Sequence, residues 1–218
     1  MKKLLVITVL VSLFGCAGIP VRPALQENIS ISPGKIEGNQ FTGIRYSFNV
    51  SVPPHWNLTT EFPDFLEDMG YDRPFSTDKE QTELYAYNPE TESNINFDFT
   101  PAGRYFRCNQ KTIESLTTSV TKNITSELEK DTGKGVANIE VGPTEPISLK
   151  GVQFAAKKYV TYTLKGLKRE QGWIYGFTEP YQIFVLYAIL EKEGAQWASD
   201  REDLKKILDS FEFKPKKK

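Results

Sequence analysis

The chain has 218 residues, of which 28 are acidic and 27 basic, for a net charge of −1. With no basic excess to neutralise phosphates, the composition argues against nucleic-acid binding, and 39% apolar with 25% charged residues is the balance of a folded domain rather than a disordered chain. One His and two Cys leave no ligand set for a structural zinc site, and no cofactor motif is present.

Lys2 and Lys3 begin a short cationic start, followed by an apolar run from Leu4 to Phe14 that suits a signal peptide and is too short to span a bilayer. The run ends Leu13-Phe14-Gly15-Cys16, which resembles a bacterial lipobox: an aliphatic residue, a variable one, a small one and a Cys. Phe14 is bulkier than the residue usual at its position. The resemblance implies a signal peptide over 1–15, cleavage after Gly15 and a lipidated Cys16, and so a cell-envelope protein held to the membrane by its N-terminal lipid. Each buried acyl methylene contributes about 0.8 kcal/mol, so several chains anchor almost permanently. Ala17 rather than Asp follows the Cys, a pattern permissive for the outer membrane.

Residues 16–40 read as the lipidated Cys and a flexible tether, punctuated by Pro20, Pro23, Pro33, Gly34 and Gly38. A single domain then spans 41–214, and the lysines of 215–218 form a solvated basic tail. Ile44, Tyr46, Phe48, Val50 and Val52 alternate with polar residues, predicting a half-buried strand that Pro53-Pro54 stops. A short helix is expected after Pro63 with Gly70 as its stop, inside an aromatic-rich irregular segment. Two strands around Leu84–Tyr87 and Ile95–Thr100 are joined by Asn88-Pro89-Glu90 turn chemistry.

The periodicity of Ile113, Leu116, Val120, Ile124 and Leu128 predicts one helix over 111–131, capped by Asn109, with its stripe in the core. Strands follow at 136–141 and 152–164, then a long turn over 166–172 before a strand carrying Trp173, Tyr175 and Phe177. Tyr181 to Leu190 is apolar on both faces, the mark of a covered central strand. Ser199 and Glu202 read as the capping box of a final helix with Leu204, Ile207, Leu208 and Phe211 inward. These elements add up to α+β, an antiparallel sheet flanked by helices.

The turn Pro53-Pro54-His55-Trp56 after the opening strand, the middle helix before long strands, and the closing run Ile207-Leu208-Asp209-Ser210-Phe211-Glu212-Phe213 together resemble the PsbP-like superfamily. His55 stands where a Gly is more usual in that motif. The resemblance covers about 41–214 and implies an α/β/α sandwich acting as a binding or assembly module, with no shared catalytic set to carry over.

Candidate chemistry is sparse. His55 is the single side chain that titrates near neutrality unaided, and beside two prolines and a Trp it reads as a turn residue rather than a base. Glu61, Asp64, Glu67, Asp68 and Asp72 do not follow an EF-hand spacing and read as a solvated acidic surface. His55, Trp56, Phe62, Tyr71 and Phe75 are the candidate partner surface; the aromatics would equally serve as a satellite core under their loop. Cys108 is the second, lone Cys, read as half-buried and structural. The expected function is a non-enzymatic, protein-binding accessory or assembly factor with an envelope protein as partner. A small-ligand or metal-ion carrier is the alternative, and a hydrolase using His55 ranks below both.

Overall fold

Three long strands, β9 (Phe154–Leu164), β10 (Leu167–Thr178) and β11 (Tyr181–Leu190), form the centre of the fold. The computed structural model describes residues 30–69, 71, 73, 82–102, 107–191 and 194–214. The signal peptide, Cys16, Phe75 and the basic tail lie outside the described residues. β9 and β10 join through Lys165 and Gly166, both at positive φ (52° and 85°), the two-residue turn whose twist matches the flanking strands. The expected long turn over 166–172 is therefore a tight one. Lys168 to Gln171 continue the strand, because the tight turn brings them into register with Val160 to Thr163.

β6 (Asn94–Pro101), β5 (Thr82–Tyr87) and β4 (Asn57–Thr59) extend the sheet beyond β11. β7 (Val136–Val141) and the short β8 (Glu145–Pro146) pair with β9 on the other side, so every pairing is antiparallel and β11 is central, as its two apolar faces predict. A second, smaller sheet has the order β1 (Gly34–Glu37), β2 (Gln40–Gly43), β3 (Phe48–Ser51), β12 (Glu212–Phe213). It packs on one face of the large sheet, with Phe48 against Phe97, Phe99 and Phe211 at centroid distances of 6.0, 4.6 and 5.9 Å. The helix α4 (Gly194–Ser210) shares that face and buries Leu204 and Ile207 of the predicted stripe, with Leu208 half-buried and Phe211 buried just past its end. The opposite face carries α1 (Phe65–Asp68), α2 (Gln110–Ser119) and α3 (Thr121–Lys130).

Several expectations are corrected. The strand expected over 44–52 is shortened to Phe48–Ser51, because residues 44–46 form a sharp bend: a Cβ on Gly43 would lie 2.1 Å from the Tyr46 carbonyl. Tyr46, Phe48, Val50 and Val52 are buried as predicted, but Ile44 is exposed while half-buried Arg45 turns its side chain inward, its Nη1 2.7 Å from Glu83. The end of the expected tether is ordered, since residues 34–43 form the β1–β2 hairpin around Gly38. The helix expected over 111–131 is two helices that meet at Val120. There the hydroxyls of Thr117, Thr118 and Ser119 bond back to the carbonyls of Ile113, Glu114 and Leu116, which bends a helix. Asn109 caps α2 as predicted, accepting from the Thr112 N–H at 2.9 Å. α4 begins at Gly194, not at a Ser199 cap, and ends at Ser210 before the strand pair Glu212–Phe213.

Candidate functional site

The predicted site residues fall on two faces of the large sheet. Pro54-His55 turns the chain between β3 and β4, and that turn drives Trp56 into the main core at 4% exposure. Trp56 is thus no partner surface; the same prolines that end β3 aim the indole inward. Its Nε1 donates to Asp203 Oδ2 at 3.3 Å, and His55 Nε2 lies 2.7 Å from the same oxygen. Lys206 Nζ donates to Oδ1 at 2.9 Å. A carboxylate accepts only, so the Nε2 of His55 carries the proton that it shares with Asp203. Among the described residues no hydroxyl or thiol hydrogen-bonds His55.

Asp203 is the centre of this clamp, and its side chain is buried. Burial alone would raise its carboxyl, but the hydrogen bonds from Lys206, His55 and Trp56 outweigh it and hold the group below the ordinary range. A depressed carboxyl contributes stability above its unfolded value of about 3.9 and loses it as pH falls through the folded value. The urea midpoint is therefore expected to fall from about pH 4.5 downwards, and Asp203→Asn, already neutral, to flatten that decline. A variant that declines as steeply as the wild type would remove Asp203 from the account.

Phe62 and Tyr71 belong to the other face. Phe62 meets Tyr85 edge-on at 5.8 Å and Phe65 meets Tyr87 at 5.1 Å, so these aromatics form a satellite core on β5. Arg73 lies 5.1 Å over the Phe62 ring and bonds Asp64 at 2.7 Å and Glu67 at 2.8 Å. These two acids of the loop are thus paired with a guanidinium, and among the described residues no group of three His, Cys, Asp or Glu could hold a metal ion. Cys108 is half-buried and free, with burial raising its thiol.

Concave sites open on this helix-bearing face. One is a hollow of about 460 Å³ over β5, β6, β10 and β11, where Tyr175 and Phe184 pack at 4.8 Å beside Thr82, Thr100 and Gln182. Another is a groove of about 560 Å³ between α1 and α3, floored by Tyr162, Leu164 and Gln171 of the sheet and walled by Met69, Ile124 and Leu128. Tyr71 projects into it, held by its N–H bond to the Leu66 carbonyl at 2.9 Å, which closes the end of α1.

Sequence reasoning missed the buried polar clusters. Asp200 accepts from Asn88 at 3.1 Å and Ser93 at 2.6 Å, joining the β5–β6 turn to α4. Glu170 accepts from Tyr187 at 2.9 Å and is bridged by Arg201 through Nε at 3.0 Å and Nη2. A signal existed: Asp200, Asp203, Leu204, Ile207 and Phe211 recur at three and four, so both acids stand on the inward stripe of α4.

The architecture is α+β, antiparallel sheets with helices on both sides, and its fold is similar to that of cyanobacterial PsbP. The solution structure of cyanobacterial PsbP (CyanoP) from Synechocystis sp. PCC 6803 superimposes with a TM-score of 0.51 at 8% identity, covering 84% of this chain and 94% of that one. LpqN of Mycobacterium tuberculosis, described as involved in cell envelope biogenesis, has a TM-score of 0.48 at 12% identity, over 84% of this chain and 86% of its own. No protein-family model and no curated protein matches the sequence. Among the described residues no helix is long and apolar enough to cross a membrane.

Proposed function

We propose that the protein is a lipid-anchored accessory factor of the bacterial cell envelope, a binding module that docks a protein partner rather than an enzyme. The observation that carries this reading is the state of His55: its Nε2 is committed to a buried carboxylate shared with Trp56 and Lys206, a bracing role for α4. The PsbP-like fold and the Leu13-Phe14-Gly15-Cys16 motif support it, the first as a scaffold and the second as an anchor to the outer membrane. The docking surface best suited to a partner is the hollow at Tyr175 and Phe184, an aromatic centre edged by Thr82, Thr100 and Gln182. Aromatic centres with polar rims are the usual composition of such interfaces.

The test is expression of the full chain in a bacterial host fed labelled palmitate, followed by mild solubilisation and capture. Label in the membrane fraction, lost in Cys16→Ala, is expected for the anchor. A stoichiometric partner that Phe184→Asp releases is expected for the docking surface. An unlabelled chain overturns the anchor, and a solitary protein overturns the accessory reading.

A further inference from the structure

We infer that the groove between α1 and α3 is a binding site for a small amphipathic molecule with an apolar body and a hydrogen-bond-accepting head. The inference stands apart from the accessory reading, because it concerns a different concavity and needs no protein partner.

Three observations converge on it. The first is α3 itself: Ile124 and Leu128 stand one turn apart and face the sheet, yet no residue of this helix is buried. An amphipathic stripe of this kind normally closes on the core; here the groove lies beneath it. The volume of about 560 Å³ falls within the usual range for ligand sites.

The second is the pair of tyrosines, one from each side. Burial raises both hydroxyls above their ordinary value, most strongly Tyr71, so both are neutral O–H donors at physiological pH. No hydrogen bond joins either hydroxyl to another described residue, so both donors are available to a ligand. Two donors in an apolar-walled groove select a head that accepts, such as a carboxylate, sulfonate or carbonyl.

The third is Arg169, directly opposite Tyr162 across the β9–β10 pair and therefore on the groove's face of the sheet. Its Nη1 is buried with no hydrogen-bond partner among the described residues, and its charge acts on Tyr162, partly offsetting the effect of burial on that hydroxyl. A cation behind a tyrosyl donor strengthens the hydrogen bond to a negative acceptor. The lining of the groove carries both signs, Asp68, Glu127 and Asp131 against Lys134 and Lys165, with Lys134 paired to Asp131 at 2.9 Å, so the preference for an accepting head comes from the two tyrosyl donors.

The probe that fits this description is 1-anilinonaphthalene-8-sulfonate, fused apolar rings with a sulfonate head. It is titrated by fluorescence against the full chain in lipid nanodiscs, with empty discs subtracted. The efficiency usual for ligands of about 20 heavy atoms predicts one saturable site with Kd on the order of tens of micromolar. Tyr162→Phe, which removes only the donor, is expected to weaken binding roughly fivefold or more, and Leu128→Glu more than tenfold. Phe184→Asp, in the other hollow, leaves it unchanged. Decanoate should displace the probe better than decylamine. Circular dichroism and a melting curve establish that each variant is folded, and Tyr162→Phe keeps the test alive if Leu128→Glu does not fold. Non-saturating binding, indifference to Tyr162→Phe, or loss through Phe184→Asp overturns the site, and a preference for decylamine overturns the head.

Discussion

Trp173→Ala is expected to lower the unfolding free energy by about 4 kcal/mol. Trp173 is fully buried at the centre of β10, on the face that α2 covers. Its Nε1 donates to the Thr117 carbonyl at 2.7 Å, among the last carbonyls of α2, which have no partner within the helix. The indole therefore fills the sheet–helix interface and also satisfies the end of α2, and truncation leaves a cavity and an orphaned acceptor together. Trp173→Phe keeps most of the volume and drops the hydrogen bond, so about 1–2 kcal/mol is expected from it. Urea unfolding followed by far-ultraviolet circular dichroism measures both. An alanine variant within 1 kcal/mol of the wild type, by roughly the precision of such fits, would mean that α2 does not rest on this residue.

Arg201→Met should cost about 3 kcal/mol, for a reason unrelated to volume. The Glu170 side chain is 4% exposed and faces Arg201, which bridges it, and Tyr187, which donates to it. Tyr187 has little room to move away: its ring lies over Gly172, where a Cβ would come within 2.1 Å of the ring. Removing the guanidinium leaves a buried carboxylate with one neutral donor, the arrangement that costs most. Arg201 is itself 46% exposed, so water replaces part of its effect, and the expected value stays at the low end for a buried pair. The charge is the cause, so Glu170→Gln in the Arg201→Met background should restore part of the loss. Equal stabilities for the single and double variants would assign the loss to packing.

What could be read from the sequence and what could not divides along a physical line. Period-two and period-3.6 patterns report which face of an element is buried, and they placed β5, β6, β9, β11 and the stripe of α4. Where a backbone bend interrupts a pattern without changing its parity, the pattern is silent. Tyr46 to Val52 keep their alternation beyond the bend that displaces Ile44, and Ile113 to Leu128 keep helical spacing across the break at Val120. Polar residues were misjudged where long-range partners neutralise them: Arg45 with Glu83, Glu170 with Arg201, Asp200 with Ser93. No local window contains both members of such a pair. The tyrosines of the groove share the difficulty, because Tyr71 and Tyr162 meet only through the fold.

The small sheet has a consequence for the order in which the chain can become a protein. Its third strand, β3, is paired on one side by β2, but its other neighbour is the last described strand: Phe213 opposite Phe48 and Glu212 opposite Asn49. Phe211 and Phe213 are both core residues, packed on rings that come from the first half of the sequence. A chain made from its N-terminus holds Phe48, Phe97 and Phe99 in waiting until Phe211 and Phe213 are available, and the loop that this contact closes runs from residue 48 to residue 213. Until then the greasiest surface of the large sheet has no lid. A chain that lacks Phe211 and Phe213 leaves Phe48 and Phe99 without the rings that pack on them.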